Sequence, residues 1–186
     1  MTIIDSAQGL LNGAKFYPCT NFDERPNQDI DLLVIHNISL PPGEFSGDFV
    51  RDFFLNKLDI HHHDYFKEIA ELKVSSHLFI RRTGEVLQFV PFTKRAWHAG
   101  KSAYQGRENC NNFSIGIELE GTDTTPYTQE QYKELAQITC ALMRHYPKIT
   151  PQNIVGHADI APGRKTDPGP AFDWCHFKEL VCKLIS

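Results

Sequence analysis

Leu32-Leu33-Val34-Ile35-His36-Asn37 is an unbroken apolar run that ends on an imidazole and an amide. A strand with one wet face would alternate apolar and polar residues. A continuous run instead marks a strand covered on both faces, as in the middle of a sheet flanked by helices. Phe113 to Leu119 supplies a second strand. There Ile115, Ile117 and Leu119 fall on one side, and Gly116, Glu118 and Glu120 on the other.

Helical spacing of Phe49, Phe53, Phe54 and Leu58 predicts a helix over 48–58, and Tyr65, Phe66, Ile69 and Leu72 a second near 63–71. Thr83-Gly84 between 76–82 and 85–90 is a hairpin signal. Thr128-Gln129-Glu130-Gln131 reads as a capping box opening a long helix, with Leu135, Ile138, Leu142 and Tyr146 as its buried stripe and Pro147 as its end. Ile154-Val155 is a short strand running into His157. Asp173 caps a last helix carrying Phe177, Leu180, Val181 and Leu184. Residues 1–30, broken by Pro18 and Pro26, read as polar and irregular. Strands mixed with helices over this length predict an α/β fold, one domain over 1–186, with a central mixed sheet flanked by helices.

The composition narrows the classes of function. Of 186 residues, 41% are hydrophobic and 23% charged, and the net charge is −4. That balance supports an ordinary core and argues against a nucleic-acid partner, which calls for a basic excess. The widely spaced Cys19, Cys110, Cys140, Cys175 and Cys182 show no C-x-x-C pair. They are expected as reduced, buried thiols. No apolar run approaches the length of a membrane span. The N-terminal stretch MTIIDSAQGLLNGAK lacks a secretory h-region, so a soluble, cytoplasmic protein is expected.

The chemistry concentrates in Gly156-His157-Ala158-Asp159-Ile160-Ala161-Pro162-Gly163-Arg164-Lys165-Thr166-Asp167-Pro168-Gly169-Pro170. Proline and glycine stiffen the Lys165–Asp167 end. His36 and His157 end strands, and Asp167 lies in this constrained loop. Together they are candidates for the three protein ligands that a catalytic zinc takes while keeping a fourth position open. Glu118 and Glu120 are both candidates for proton transfer, and Lys165 for stabilising an oxyanion. The run His61-His62-His63 points its rings in different directions and reads as a solvated helix entry. His77 and His98 are candidates for supporting the ligands or meeting substrate. His145 and His176 read as helix-surface residues.

The strings LLVIHNISLPPGEF (32–45), VPFTKRAWHAGKSAYQGRENCNNFSIGIELEGTD (90–123) and GHADIAPGRKTDPGPAFDW (156–174) resemble those of the zinc-dependent N-acetylmuramoyl-L-alanine amidases, relatives of the peptidoglycan recognition proteins. The resemblance runs from Leu10 to about Trp174. It implies the fold of peptidoglycan recognition proteins and phage-lysozyme-type amidases, and Zn2+ held by His36, His157 and Asp167. It also implies Glu118, the first glutamate of E-L-E, as proton acceptor, and Lys165 as transition-state stabiliser. An aspartate as third ligand is the pattern of the cell-wall recycling subgroup. The implied substrate is an anhydromuropeptide, cut between 1,6-anhydro-N-acetylmuramic acid and L-alanine. Neither a membrane nor an obligate protein partner is implied. Asn37 and Trp97 are candidates for lining the sugar and peptide groove. Two positions depart from the pattern, both in regions associated with gripping peptide carboxylates: Asn109 stands where a basic residue is common, and Lys73 where an arginine is common. A non-catalytic muropeptide sensor on the same fold is the alternative.

Overall fold

The run at Leu32 opens a seven-residue strand at the heart of the computed structural model, which describes residues 2–185. The main sheet contains β1 (Lys15–Phe16), β2 (Leu32–Ile38), β3 (Leu78–Ile80), β4 (Val86–Gln88), β5 (Ser114–Glu120) and β6 (Ile154–Gly156). Their spatial order is β6-β2-β5-β3-β4-β1. β5 runs parallel to both β2 and β3, and β6 parallel to β2, while β3 and β4 form the antiparallel hairpin expected around Thr83-Gly84. The sheet is therefore mixed. Register pairs Glu118 with His36, and neighbours so paired point to the same face.

Among the described residues, five α-helices cover the sheet: α1 (Phe49–Phe54), α2 (Asp64–Ile69), α3 (Gln129–His145), α4 (His157–Ile160) and α5 (Trp174–Ile185). α3 and α5 lie on one face. Their Leu135, Ile138, Leu142, Phe177 and Val181 pack with Leu33, Ile35, Ile115, Ile117 and Leu119 of the sheet. Each fully buried Leu, Ile or Phe contributes roughly 1.5–3 kcal/mol through area removed from water. On the other face, Leu32 and Val34 pack with Ala99, Cys110 and Ile160. Farther along that face, α1 and α2 bring Phe53, Phe54 and Phe66 against Phe79, Leu87 and Phe89. Both faces of β5 are thus buried, and Glu118 and Glu120 lie inside the protein, not on a wet edge.

Several elements differ from expectation. The helix expected over 48–58 stops at Phe54, and Asn56 takes a left-handed φ of 58° that ends it. Residues 1–30 are not simply irregular. Ile4–Asp5 pairs with Leu10–Leu11, Phe22–Asp23 pairs with Arg95–Ala96, and Ile4, Leu11 and Ile30 join the core. Leu184, expected in the stripe of α5, is half exposed. Cys175 and Cys182 are exposed, whereas Cys19, Cys110 and Cys140 are buried as expected; none of the five forms a disulfide. Among the described residues, no helix is long and apolar enough to cross a membrane.

Candidate active site

The site forms where the parallel strands end, on the face opposite α3 and α5. β2 delivers His36 near its C-terminal end. β6 ends at Gly156, so His157 is the first residue of α4. The loop after α4 returns Asp167 to the same point: its carbonyl accepts from the Ala158 amide at 3.0 Å, and the Arg164 and Lys165 amides both donate to Ala161 O. A second tether comes from Asn37, whose Nδ2 donates to Asp123 Oδ1 at 2.9 Å and to Pro168 O at 3.1 Å. The Tyr127 hydroxyl donates to the same Pro168 carbonyl at 2.8 Å.

These constraints bring His36 Nδ1, His157 Nδ1 and Asp167 Oδ2 into a triangle with sides of 3.0, 3.1 and 3.0 Å. His36 and His157 are buried, and Asp167 is nearly so. Burial lowers the His36 pKa to about 4, so this imidazole is neutral at neutral pH. His157 Nε2 lies 3.2 Å from the Ala99 carbonyl, which can only accept. That contact puts the ring proton on Nε2 and turns the Nδ1 lone pair inward. A lone pair and a carboxylate oxygen facing each other at this range call for a cation between them. Ligand atoms around 2.0–2.1 Å from one tetrahedral zinc stand roughly 3.3 Å apart, close to the observed spacing. The three residues therefore fit a divalent metal.

Beside the triangle, Glu118 Oε1 lies 4.0 Å from His36 Nδ1. Its Oε2 is buried without a hydrogen-bond partner. Burial first, then the Asp167 charge, pushes the Glu118 pKa well above its ordinary value, with Lys165 opposing. Glu120 is engaged elsewhere, accepting from Ser46 N at 2.8 Å and Arg82 N at 2.9 Å. Glu118, His157, Lys165 and Asp167 line a groove of about 710 Å³, together with Asn37, Trp97 and His98. Leu40, Phe53, Phe54, Tyr65 and Ile69 give it an apolar wall.

The remaining histidines separate clearly. His61, His62 and His63 are exposed, and His63 caps α2 by accepting from Tyr65 N at 3.1 Å. His77 is buried beneath β5, where its Nδ1 accepts from Gly116 N at 3.0 Å. His98 touches His36 directly, Nδ1 to Nε2, at 2.9 Å. Asn109 and Lys73 are exposed, and Asn109 borders a separate cavity with Lys101 and Arg164. Sequence reasoning missed Gly116. A Cβ there would lie 2.4 Å from His98 Cγ, so only glycine leaves room for that ring. The spacing Ser114-x-Gly116-x-Glu118 on one strand face was the available signal.

The mixed sheet thus converges two imidazoles and a carboxylate, a set able to hold a divalent metal, on a groove carrying a buried glutamate, the make-up of a hydrolase site. The model of the N-acetylmuramoyl-L-alanine amidase family matches residues 26–170, and the chain belongs to that family. It is 59% identical over 177 residues to the 1,6-anhydro-N-acetylmuramyl-L-alanine amidase AmpD of Escherichia coli K12, covering 95% of this chain and 96% of that one. A crystal structure of a Se-Met AmpD derivative superposes with a TM-score of 0.93 at 56% identity, covering 96% of this chain and 99% of that one. The amidase AmiD from E. coli, solved with the substrate anhydro-N-acetylmuramic acid-L-Ala-D-gamma-Glu-L-Lys, has a TM-score of 0.60 at 28% identity. That match covers 96% of this chain and 65% of AmiD.

Proposed function

We propose that this chain, acting as one domain over 1–186, hydrolyses the amide between 1,6-anhydro-N-acetylmuramic acid and the L-alanine of a stem peptide, with zinc held by His36, His157 and Asp167. The observation that carries this reading is the meeting of that triangle with Glu118 in one groove of a chain so similar to AmpD. Zinc, when bound, supplies Lewis acidity toward water and the scissile carbonyl. Glu118 takes the proton from the attacking water on its unpartnered oxygen and hands it to the departing amine. Its surroundings suit both duties: burial favours the protonated form, and the nearby cationic Lys165 favours the ionised one. The Lys165 ammonium stands at the groove, where charge develops on the carbonyl oxygen. Trp97 and Asn37 flank the sugar and peptide.

Cysteines without disulfides suit a reducing compartment, in keeping with a cytoplasmic enzyme of wall recycling. The sensor alternative gains no support, since the similar proteins reported above are named as amidases. Mass spectrometry of an anhydromuropeptide after incubation with the protein tests the proposal. Free peptide and anhydro-sugar should appear, vanish on chelation and return with zinc. Intact substrate in the zinc-replete sample would reject it.

A further inference from the structure

The outer nitrogens of both candidate ligand histidines land on consecutive residues of one segment. His36 Nε2 meets the His98 ring at 2.9 Å, and His157 Nε2 meets the Ala99 carbonyl at 3.2 Å. One atom pins that segment: Asn111 Oδ1 accepts from His98 N at 3.1 Å and from Ala99 N at 2.8 Å. Asn111 is buried, in a short 3-10 turn at Cys110–Asn112. Arg164 steadies the far side, its Nη2 donating to Ala99 O at 2.7 Å.

The direction of the hydrogen bonds can be followed outward from the buried end. Ser114 Oγ stands 2.6 Å from Cys110 O. A carbonyl has no proton to give, so the hydroxyl donates there. The Ser114 oxygen is then left to accept from His98 Nε2, 3.1 Å away. His98 Nδ1 thereby carries a lone pair and accepts the proton on His36 Nε2. His36 Nδ1 is consequently bare and faces the triangle, as His157 Nδ1 does.

We infer that His98 and Asn111 are positioning residues for the metal centre, clamping segment 98–99 so that both ligand rings turn a bare Nδ1 to the ion. This rests on the zinc reading above. Outer partners of ligand histidines typically change metal affinity by roughly 10–100-fold.

The test is zinc affinity by competition with a chelator, for wild type, His98→Phe, His98→Gln, Ser114→Ala and Asn111→Leu, with His145→Phe as a control. Phe keeps an aromatic ring over Gly116 but accepts nothing, so affinity should fall roughly 10–100-fold. Gln, whose amide oxygen can accept from His36, should restore part of the loss. Ser114→Ala and Asn111→Leu should weaken zinc, and His145→Phe should not. In wild type, imidazole 15N NMR should show a coupling across the hydrogen bond between His36 Nε2 and His98 Nδ1. Wild-type affinity in His98→Phe, or equal affinity in the Phe and Gln variants, would overturn the clamp. So would absence of the coupling. Should His98→Phe fail to fold, Ser114→Ala decides, and unchanged affinity there refutes the relay. If wild type takes up no zinc, the metal reading fails on its own, and the coupling, measured in the metal-free protein, still judges the clamp.

Discussion

Glu118 and Glu120 share one face of one strand, and what separates them lies far away in sequence. Both Glu120 oxygens are taken, by backbone amides of Ser46 and Arg82. Glu118 keeps a buried oxygen without a partner beside the triangle. Glu118→Gln should therefore lower kcat by roughly 10²–10⁴ while zinc content stays at wild-type level. Turnover near wild type in that variant would remove Glu118 from the mechanism. Glu120→Gln should act on folding instead, lowering stability by about 1–3 kcal/mol in a urea titration as two part-buried backbone amides lose their carboxylate acceptor. Strand alternation put both glutamates on one face but could not choose between them. The choice depends on residues 46 and 82, whose proximity only the fold creates. Similarly, His36 was readable at the end of its strand, but its dependence on His98 and Ser114 was not.

At the scale of elements, signals contained within a few residues translated directly. The capping box forms as read: Thr128 Oγ1 accepts from Gln131 N at 3.2 Å, and Gln131 Oε1 accepts from Thr128 N at 3.1 Å. Thr128→Ala should destabilise by about 1 kcal/mol with little change in denaturant slope. The short pairings before Leu32 escaped notice because a two-residue ribbon has no periodicity, and its partners lie elsewhere in the chain. The Asp167 loop illustrates a mixed case. Its proline and glycine content announced rigidity, but not what it rests on. Gly169 has φ +77°, and a Cβ there would lie 2.3 Å from Asp123 Cα. Gly169→Ala must move backbone, so it should cost about 1–3 kcal/mol of stability. It should also weaken zinc by displacing Asp167. Calorimetry and chelator competition on the same variant check both, and normal zinc affinity would show that Asp167 is held independently of Gly169.

Across the whole molecule, the buried histidines couple folding to pH. Burial, then the Arg25 charge, lowers His77 to about 3; burial lowers His36 to about 4 and takes His98 well below its ordinary value. In the unfolded chain each returns to about 6.5. As pH falls below that value, the unfolded state binds these protons first, so stability declines with acid. Glu118 works the other way. Its raised pKa lets the folded state bind a proton first, adding stability as pH falls toward the ordinary carboxylate value. Three histidines against one glutamate leave a net uptake of protons on unfolding as the pH falls below about 6.5. Urea unfolding of the metal-free protein between pH 7.5 and 4.5 measures this directly. Stability should hold at the upper end and fall below about pH 6.5. A flat profile between pH 6.5 and 5 would mean that these imidazoles are already charged in the folded protein, which is incompatible with His77 accepting from Gly116 N and with bare nitrogens facing a metal.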